Sequence, residues 1–377
     1  MPATHDDSSL TQWVFDALSN YIDEYTGQPL TYTDSIASVE CAANVINARI
    51  RLGYPAEGAT NAMVESLQAQ IRSALVDKVA DLNGYAINID ISQKIISHTR
   101  AGGVAGLEQV KNIIAIASGK GGVGKSATAL NVALALQQEG ATVGLLDADI
   151  YGPSQPLMLG IPAEQRPEVR EQKYFLPIEV HGLQTMSMGY LVTEKTPMVW
   201  RGPMVSGALT QMVNQTQWHD VDYLIVDMPP GTGDIQLTLS QQVPVTGSAV
   251  VTTPQDIALL DAKKGIEMFH KVNIPCLGII ENMATHICSQ CGHNEAIFGD
   301  GGGERIAAEY DVPLLGSLPL AMAIRQGLDD GKPIVATQPQ SDIAQQYRII
   351  ARKLAAQLCL PERNASRAGP TITVSND

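Results

Sequence analysis

Charge is scarce in this chain. Of 377 residues, 17% are Asp, Glu, Lys or Arg, against 45% hydrophobic. A sequence so apolar buries a sizeable core, which excludes disorder throughout. Basic charge is scarcer still: 25 Lys and Arg face 39 Asp and Glu, for a net charge of −14. That excludes a hold on nucleic acid by bulk electrostatics and leaves only a local basic patch. No apolar run reaches the roughly 18 residues that a membrane span needs. The first ten residues lack a basic stretch followed by an apolar one, so no secretory leader is expected. Cysteine is sparse too, at Cys41, Cys276, Cys288, Cys291 and Cys359. An odd count without a leader excludes a disulfide framework and points to a reducing cytoplasm.

What is there divides near residue 100. At roughly 150 residues per domain, the length predicts two or three domains. Residues 1–100 carry helical patterns at 13–22 and 61–82 and strand patterns at 45–50 and 86–91. They predict a small α/β domain with no catalytic constellation, in which Cys41 plays a buried apolar role. Small residues open a linker over 101–111. From 112 to 360, short apolar runs at 112–117, 143–146, 223–226, 249–251 and 277–280 alternate with helical stretches such as 125–138. That alternation predicts an α/β domain whose mostly parallel sheet is covered by helices on both faces. Ligands bind such sheets at the carboxyl ends of the strands. Residues 161–221 read as strands and loops inserted between the early and late halves of the sheet. The polar stretch 361–377 reads as a flexible tail.

The strongest motif follows the first of those runs. Gly119, Lys120, Gly121, Gly122, Val123, Gly124, Lys125 and Ser126 match the phosphate-loop pattern, with a strand before and a helix after. Glycines let backbone N–H groups turn inward around phosphate oxygens, and the helix N-terminus adds a favourable dipole. In that motif Lys125 reaches the β and γ phosphates of a nucleoside triphosphate, and the Ser126 hydroxyl ligates Mg²⁺. The chain is therefore expected to be a P-loop NTPase. Two apolar runs end in carboxylates, at Asp147 with Asp149 and at Asp227. Asp227 fits a Walker B carboxylate that holds Mg²⁺ through water. Taken alone, Asp147 reads as a capping or turn residue. Asn282, after a further apolar strand, reads alone as a strand-end turn residue.

Cys288 and Cys291 form a C-x-x-C-G knuckle, a common half of a tetrahedral site. A redox dithiol is disfavoured, because the pair does not sit at a strand-to-helix step of a thioredoxin-like unit. A one-chain zinc site would add His286 and His293, at tight spacing. Two pairs, one from each of two subunits, would give four thiolates for a [4Fe–4S] cluster or for zinc.

Lys120, early in the loop, resembles the signature lysine of the deviant Walker A ATPases. In that class it reaches the partner subunit's nucleotide, Asp149 positions the attacking water, Asp147 supports the Mg²⁺ shell, and an Asn at the place of Asn282 contacts adenine. From about Lys111 to Leu360 the chain resembles the Mrp/ApbC family of iron–sulfur cluster carrier ATPases. The resemblance rests on the loop and on the stretches 146–154, 200–204 (including Arg201), 226–234 and 253–255, with Glu281-Asn282-Met283 leading to Cys288 and Cys291. It implies a homodimer, ATP and Mg²⁺, a [4Fe–4S] cluster shared between two subunits through Cys288 and Cys291, cytoplasmic location, and transfer to apo iron–sulfur proteins in contact with cluster scaffold proteins. No nucleic acid or membrane is expected. Residues 1–100 resemble the small domain often fused to such ATPases. Tyr54 stands where its stand-alone members carry a cysteine, so a docking or regulatory role is expected there. Two other readings are a partition or septum-positioning ATPase, with Arg348, Arg352 and Lys353 as a weak membrane face, and a zinc-bridged ATPase dimer.

Overall fold

The computed structural model describes residues 7–79, 81–98, 107–150, 152–191, 202–288 and 290–361. Expectations for Arg201, for the linker residues 101–106 and for the tail beyond Pro361 lie outside them. The chain forms two compact units.

The first unit holds α1 (Asp7–Ser19), β1 (Ile36–Ala42), β2 (Val45–Leu52), α2 (Thr60–Leu75) and β3 (Ala86–Gln93). The sheet order is β1-β2-β3, with β2 antiparallel to β1 and parallel to β3. Ala43 and Asn44, both at positive φ, make the two-residue turn between β1 and β2. Along β2, Ile46, Ala48, Ile50 and Leu52 point inward while Asn47, Arg49 and Arg51 face out. Helix α2 meets this core through Met63, Leu67, Ile71 and Leu75, the spacing of one helical face. The helical pattern runs to residue 82, but α2 stops at Leu75. Val79 is still buried, on a turn whose N–H returns to the Leu75 carbonyl. Asp23 is buried here, accepting from the Tyr54 hydroxyl at 2.7 Å and the Tyr25 N–H at 2.9 Å. Burial raises its carboxyl above the ordinary range, against the pull of those bonds. Residues 355–361 group with this unit. Leu358, Cys359 and Leu360 are buried, and a Cβ at Gly53 would sit 2.8 Å from the Cys359 sulfur.

The second unit runs from Ser97 to Leu354. Its elements are β4 (Val110–Ala117), α3 (Lys125–Gln138), β5 (Val143–Asp147), α4 (Gln155–Met158), β6 (Val169–Arg170), β7 (Tyr174–Phe175), β8 (Ile178–Val180), β9 (Leu183–Ser187), α5 (Gly202–Gln215), β10 (Val221–Asp227), α6 (Asp234–Gln242), β11 (Gly247–Thr252), α7 (Asp256–Lys271), β12 (Cys276–Glu281), β13 (His286–Ile287), β14 (Asn294–Glu295), α8 (Gly302–Tyr310), β15 (Leu314–Ser317), α9 (Met322–Asp329), α10 (Ile334–Thr337) and α11 (Asp342–Ala356). Eight strands form one sheet in the order β15-β12-β11-β4-β10-β5-β9-β8, parallel except for β8. Every residue of β5, β10, β11 and β12 is buried, which is why their sequences read as unbroken apolar runs. The 161–221 region extends the sheet past β5 through β9 and β8.

One buried ion cluster ties α11 to the end of α3. Glu139 is fully buried and accepts from Arg348 Nε at 2.6 Å and from an Arg352 terminal nitrogen at 2.7 Å. A carboxylate is held in such a place only when its charge is met. Two of the three cations of the considered membrane face are therefore turned inward. Among the described residues, no helix is long and apolar enough to cross a membrane.

Candidate functional site: a phosphate loop and a thiol knuckle

The loop Gly119–Gly124 leaves the carboxyl end of β4, in the middle of the sheet, and α3 starts at Lys125. Two glycines are dictated by space. A Cβ on Gly119 would lie 2.1 Å from the Asp261 backbone carbonyl. Gly124 has φ +80°, and a Cβ there would lie 2.2 Å from the Asn282 side-chain nitrogen. Gly121 and Gly122 are exposed, whereas Val123 is buried as the anchor of the loop. The Ser118 hydroxyl donates to the Lys120 carbonyl at 2.9 Å. The Lys120 side chain makes no ion pair within 4.0 Å among the described residues.

Asp147 and Asp227 end neighbouring parallel strands and are directly paired in register. Both are fully buried. Lys125, itself buried, pairs with Asp227 Oδ1 and donates to the Ser126 hydroxyl at 3.1 Å. Asp147 accepts from the Ser187 hydroxyl at 3.0 Å and from the backbone N–H groups of Gln155 and Asp149, each at 3.2 Å. Burial, and then the adjacent Asp227 charge, push the Asp147 carboxyl up despite these bonds. Asp149 lies on the loop after β5, where its Oδ1 accepts from the Gly152 N–H at 3.3 Å. The structure thus gathers Lys125, Ser126, Asp147 and Asp227 into one cluster.

One member of that cluster was not singled out from sequence. Gln155, at the start of α4, is 1% exposed. Its Nε2 donates to Asp227 Oδ2 at 2.9 Å and to the Ser126 carbonyl at 3.1 Å. Its Oε1 is buried and accepts no hydrogen bond among the described residues. The oxygen-rich set of a hydroxyl, two carboxylates and this orphaned carbonyl suits a hard divalent cation such as Mg²⁺.

Asn282 follows β12 and sends its Nδ2 to the Val123 carbonyl at 2.8 Å. Met283 comes next, at φ +56°, a strained conformation for a side chain of its size. Ala284 donates to the Leu318 carbonyl, and Thr285 accepts from the Leu320 N–H. The chain then enters the small hairpin of β13 and β14. This hairpin carries the thiol knuckle. Cys288 N–H donates to the His293 carbonyl and Gly292 N–H to the Cys288 carbonyl, both at 2.9 Å, with Gly292 at φ +71°. Cys288 is half-buried and Cys291 exposed. The backbone N–H groups of Gln290 and Cys291 hold the Cys288 thiol below its ordinary range. His286 and His293 turn instead to Glu295, at 3.8 and 4.0 Å. Among the described residues, no three His, Cys, Asp or Glu side chains converge as a metal site. The one-chain zinc arrangement is therefore not assembled among them.

Comparison with known proteins agrees with this geometry. A family described as NUBPL iron-transfer P-loop NTPase matches residues 109–355, and one described as iron–sulfur cluster assembly protein matches residues 11–81. The chain is 61% identical to an iron–sulfur cluster carrier protein of Pseudomonas fragi, over 72% of this chain and 96% of that one. It is 50% identical to a protein of the same name from Haemophilus influenzae, over 87% of each. Among solved structures, a nucleotide-binding protein of Archaeoglobus fulgidus in complex with ADP superposes with a TM-score of 0.55 at 30% identity, covering 63% of this chain and 92% of that one. The chain is an ATPase of the P-loop class, and it belongs to the NUBPL-type iron-transfer P-loop NTPases, the family of the iron–sulfur cluster carriers.

Proposed function

We propose that the chain works as a homodimer that carries a [4Fe–4S] cluster between two copies of the Cys288–Cys291 knuckle and passes it to apo iron–sulfur proteins. In this reading ATP hydrolysis drives loading or release. The observation that carries it is that the strand end leading to the knuckle, after β12, braces the nucleotide loop that leaves β4. Asn282 braces the loop at Val123, and Cys288 follows six residues later. A shift in the loop therefore reaches the thiols through one hydrogen bond and six residues of chain, and binding at one place is reciprocally felt at the other.

In the nucleotide site the glycine-rich backbone and Lys125 receive the phosphates, with the Lys125 ammonium moving from Asp227 to them. Ser126 and Asp227 would hold Mg²⁺, with Asp147 supporting its shell. Bound there, Mg²⁺ neutralises charge on the transferring phosphoryl group. Asp149 orients the attacking water, and Lys120 reaches the partner subunit's nucleotide. One Asn282 N–H is held by the Val123 carbonyl, and its carbonyl oxygen is an acceptor that would receive the adenine amino group. At the knuckle, Cys288 is already biased toward thiolate, the form that binds metal. Two such pairs supply the four thiolates of the cargo site. Scaffold proteins would load it, and the cytoplasm is the compartment proposed.

The test is transfer. Reconstituted chain should pass its cluster to an apo-ferredoxin at a rate that ATP changes at least several-fold. Lys125→Ala should abolish that ATP response. An ATP response that persists in Lys125→Ala, or a transfer rate blind to ATP in the wild type, contradicts the coupling.

A further inference from the structure

We infer that Gln155 is a positioning residue of the magnesium–nucleotide site, acting through both ends of its amide. This rests on the Mg²⁺ reading of Ser126 and Asp227 given above. The orientation of the amide is fixed by chemistry. Both of its nitrogen partners, Asp227 Oδ2 and the Ser126 carbonyl, are pure acceptors, so the donor end must face them. The carbonyl oxygen is then left buried without a donor. A buried acceptor in that condition costs free energy unless some donor meets it.

The position of Gln155 narrows what that donor is. One residue touches three elements of the site: the first turn of α3 at Ser126, the end of β10 at Asp227 and, through its own N–H, the end of β5 at Asp147. Its hydrogen-bond partners among the described residues, Asp147, Asp227 and the Ser126 carbonyl, are all acceptors. A water of a divalent cation's shell is a strong donor that such a ring of oxygens attracts. Gln155 Nε2 therefore holds the Asp227 carboxylate in one rotamer, and Oε1 accepts from a metal-bound water. Partners in that outer shell typically change metal affinity by about 10- to 100-fold.

The experiment is calorimetric titration of the full chain with ADP, at a series of MgCl₂ concentrations and in EDTA. Gln155→Met removes both ends of the amide at similar volume. Gln155→Ala removes both ends with a smaller side chain. The expected result is that Gln155→Met raises the Mg²⁺ concentration for half-maximal tightening of ADP about tenfold, with affinity in EDTA unchanged. Gln155→Ala should raise it in the same way, and by itself tests the role should Gln155→Met fail to fold. An unchanged Mg²⁺ midpoint in the folded variant, or an equal loss of affinity in EDTA, would overturn the assignment. Failure of the underlying Mg²⁺ reading looks different: wild-type ADP binding would then be indifferent to Mg²⁺.

Discussion

Asn282 and Val123 are 159 residues apart in sequence and 2.8 Å apart in the fold, joined by an amide-to-carbonyl hydrogen bond. The bond fastens the phosphate loop to the strand end from which the thiol knuckle hangs. It also explains Gly124, since a side chain there would displace the Asn282 amide. Asn282→Ala strands a buried carbonyl and should cost about 1–3 kcal/mol. ADP affinity should fall with it, by about tenfold. Thermal melting and calorimetry check both, and unchanged values would remove Asn282 from the loop's support.

Lys125 is expected to matter twice. Losing its ammonium should slow hydrolysis about a hundredfold or more. It also leaves Asp147 and Asp227 side by side without their cation, which should cost about 3–5 kcal/mol. Adding Asp227→Asn to Lys125→Met should restore much of the stability but none of the activity. Additive losses in denaturant unfolding would contradict the buried pair.

The Glu139 cluster predicts a purely structural effect. Glu139→Gln leaves Arg348 and Arg352 without their carboxylate. Stability should fall by about 3–5 kcal/mol, with the nucleotide affinity of the folded fraction unchanged. A variant as stable as wild type would mean that these arginines find other partners.

Thiol reactivity separates the cysteines. Because two backbone N–H groups favour the Cys288 thiolate, its alkylation in metal-free protein should persist to lower pH than for an unperturbed thiol near 8.5–9. Falling pH still quenches it, at a midpoint below that range. Burial pushes Cys359 up to about 12, and Cys41 and Cys276 are also buried. All three should label at least about tenfold more slowly. Mass spectrometry after brief iodoacetamide treatment reads the order. Cys359 labelling as fast as Cys288 would contradict the packing around it.

Much of the site was legible in the sequence because its constraints are local. The phosphate loop packs a strand end, two forced glycines and a helix start into eight residues. The carboxylates Asp147 and Asp227 announce themselves at the ends of fully buried strands. Gln155 was not legible, since the partners of its side chain are 29 and 72 residues away. Strand β1 was missed because only Cys41 in it is fully buried, so it lacks a clear alternation. Strand β8 is a three-residue edge piece paired to β9, and β9 takes its place from β5 rather than from its own pattern.

The central claim is that two chains share one cluster through Cys288 and Cys291. Anaerobic reconstitution with iron and sulfide, read by Mössbauer spectroscopy, iron counting and native mass, tests it directly. The account predicts about four irons per two chains in a [4Fe–4S] signature of the Cys₄ type, lost when both cysteines are replaced by serine while ATP hydrolysis continues. Iron retained in that double variant, zinc in place of iron, or a cluster held by a single chain would contradict it.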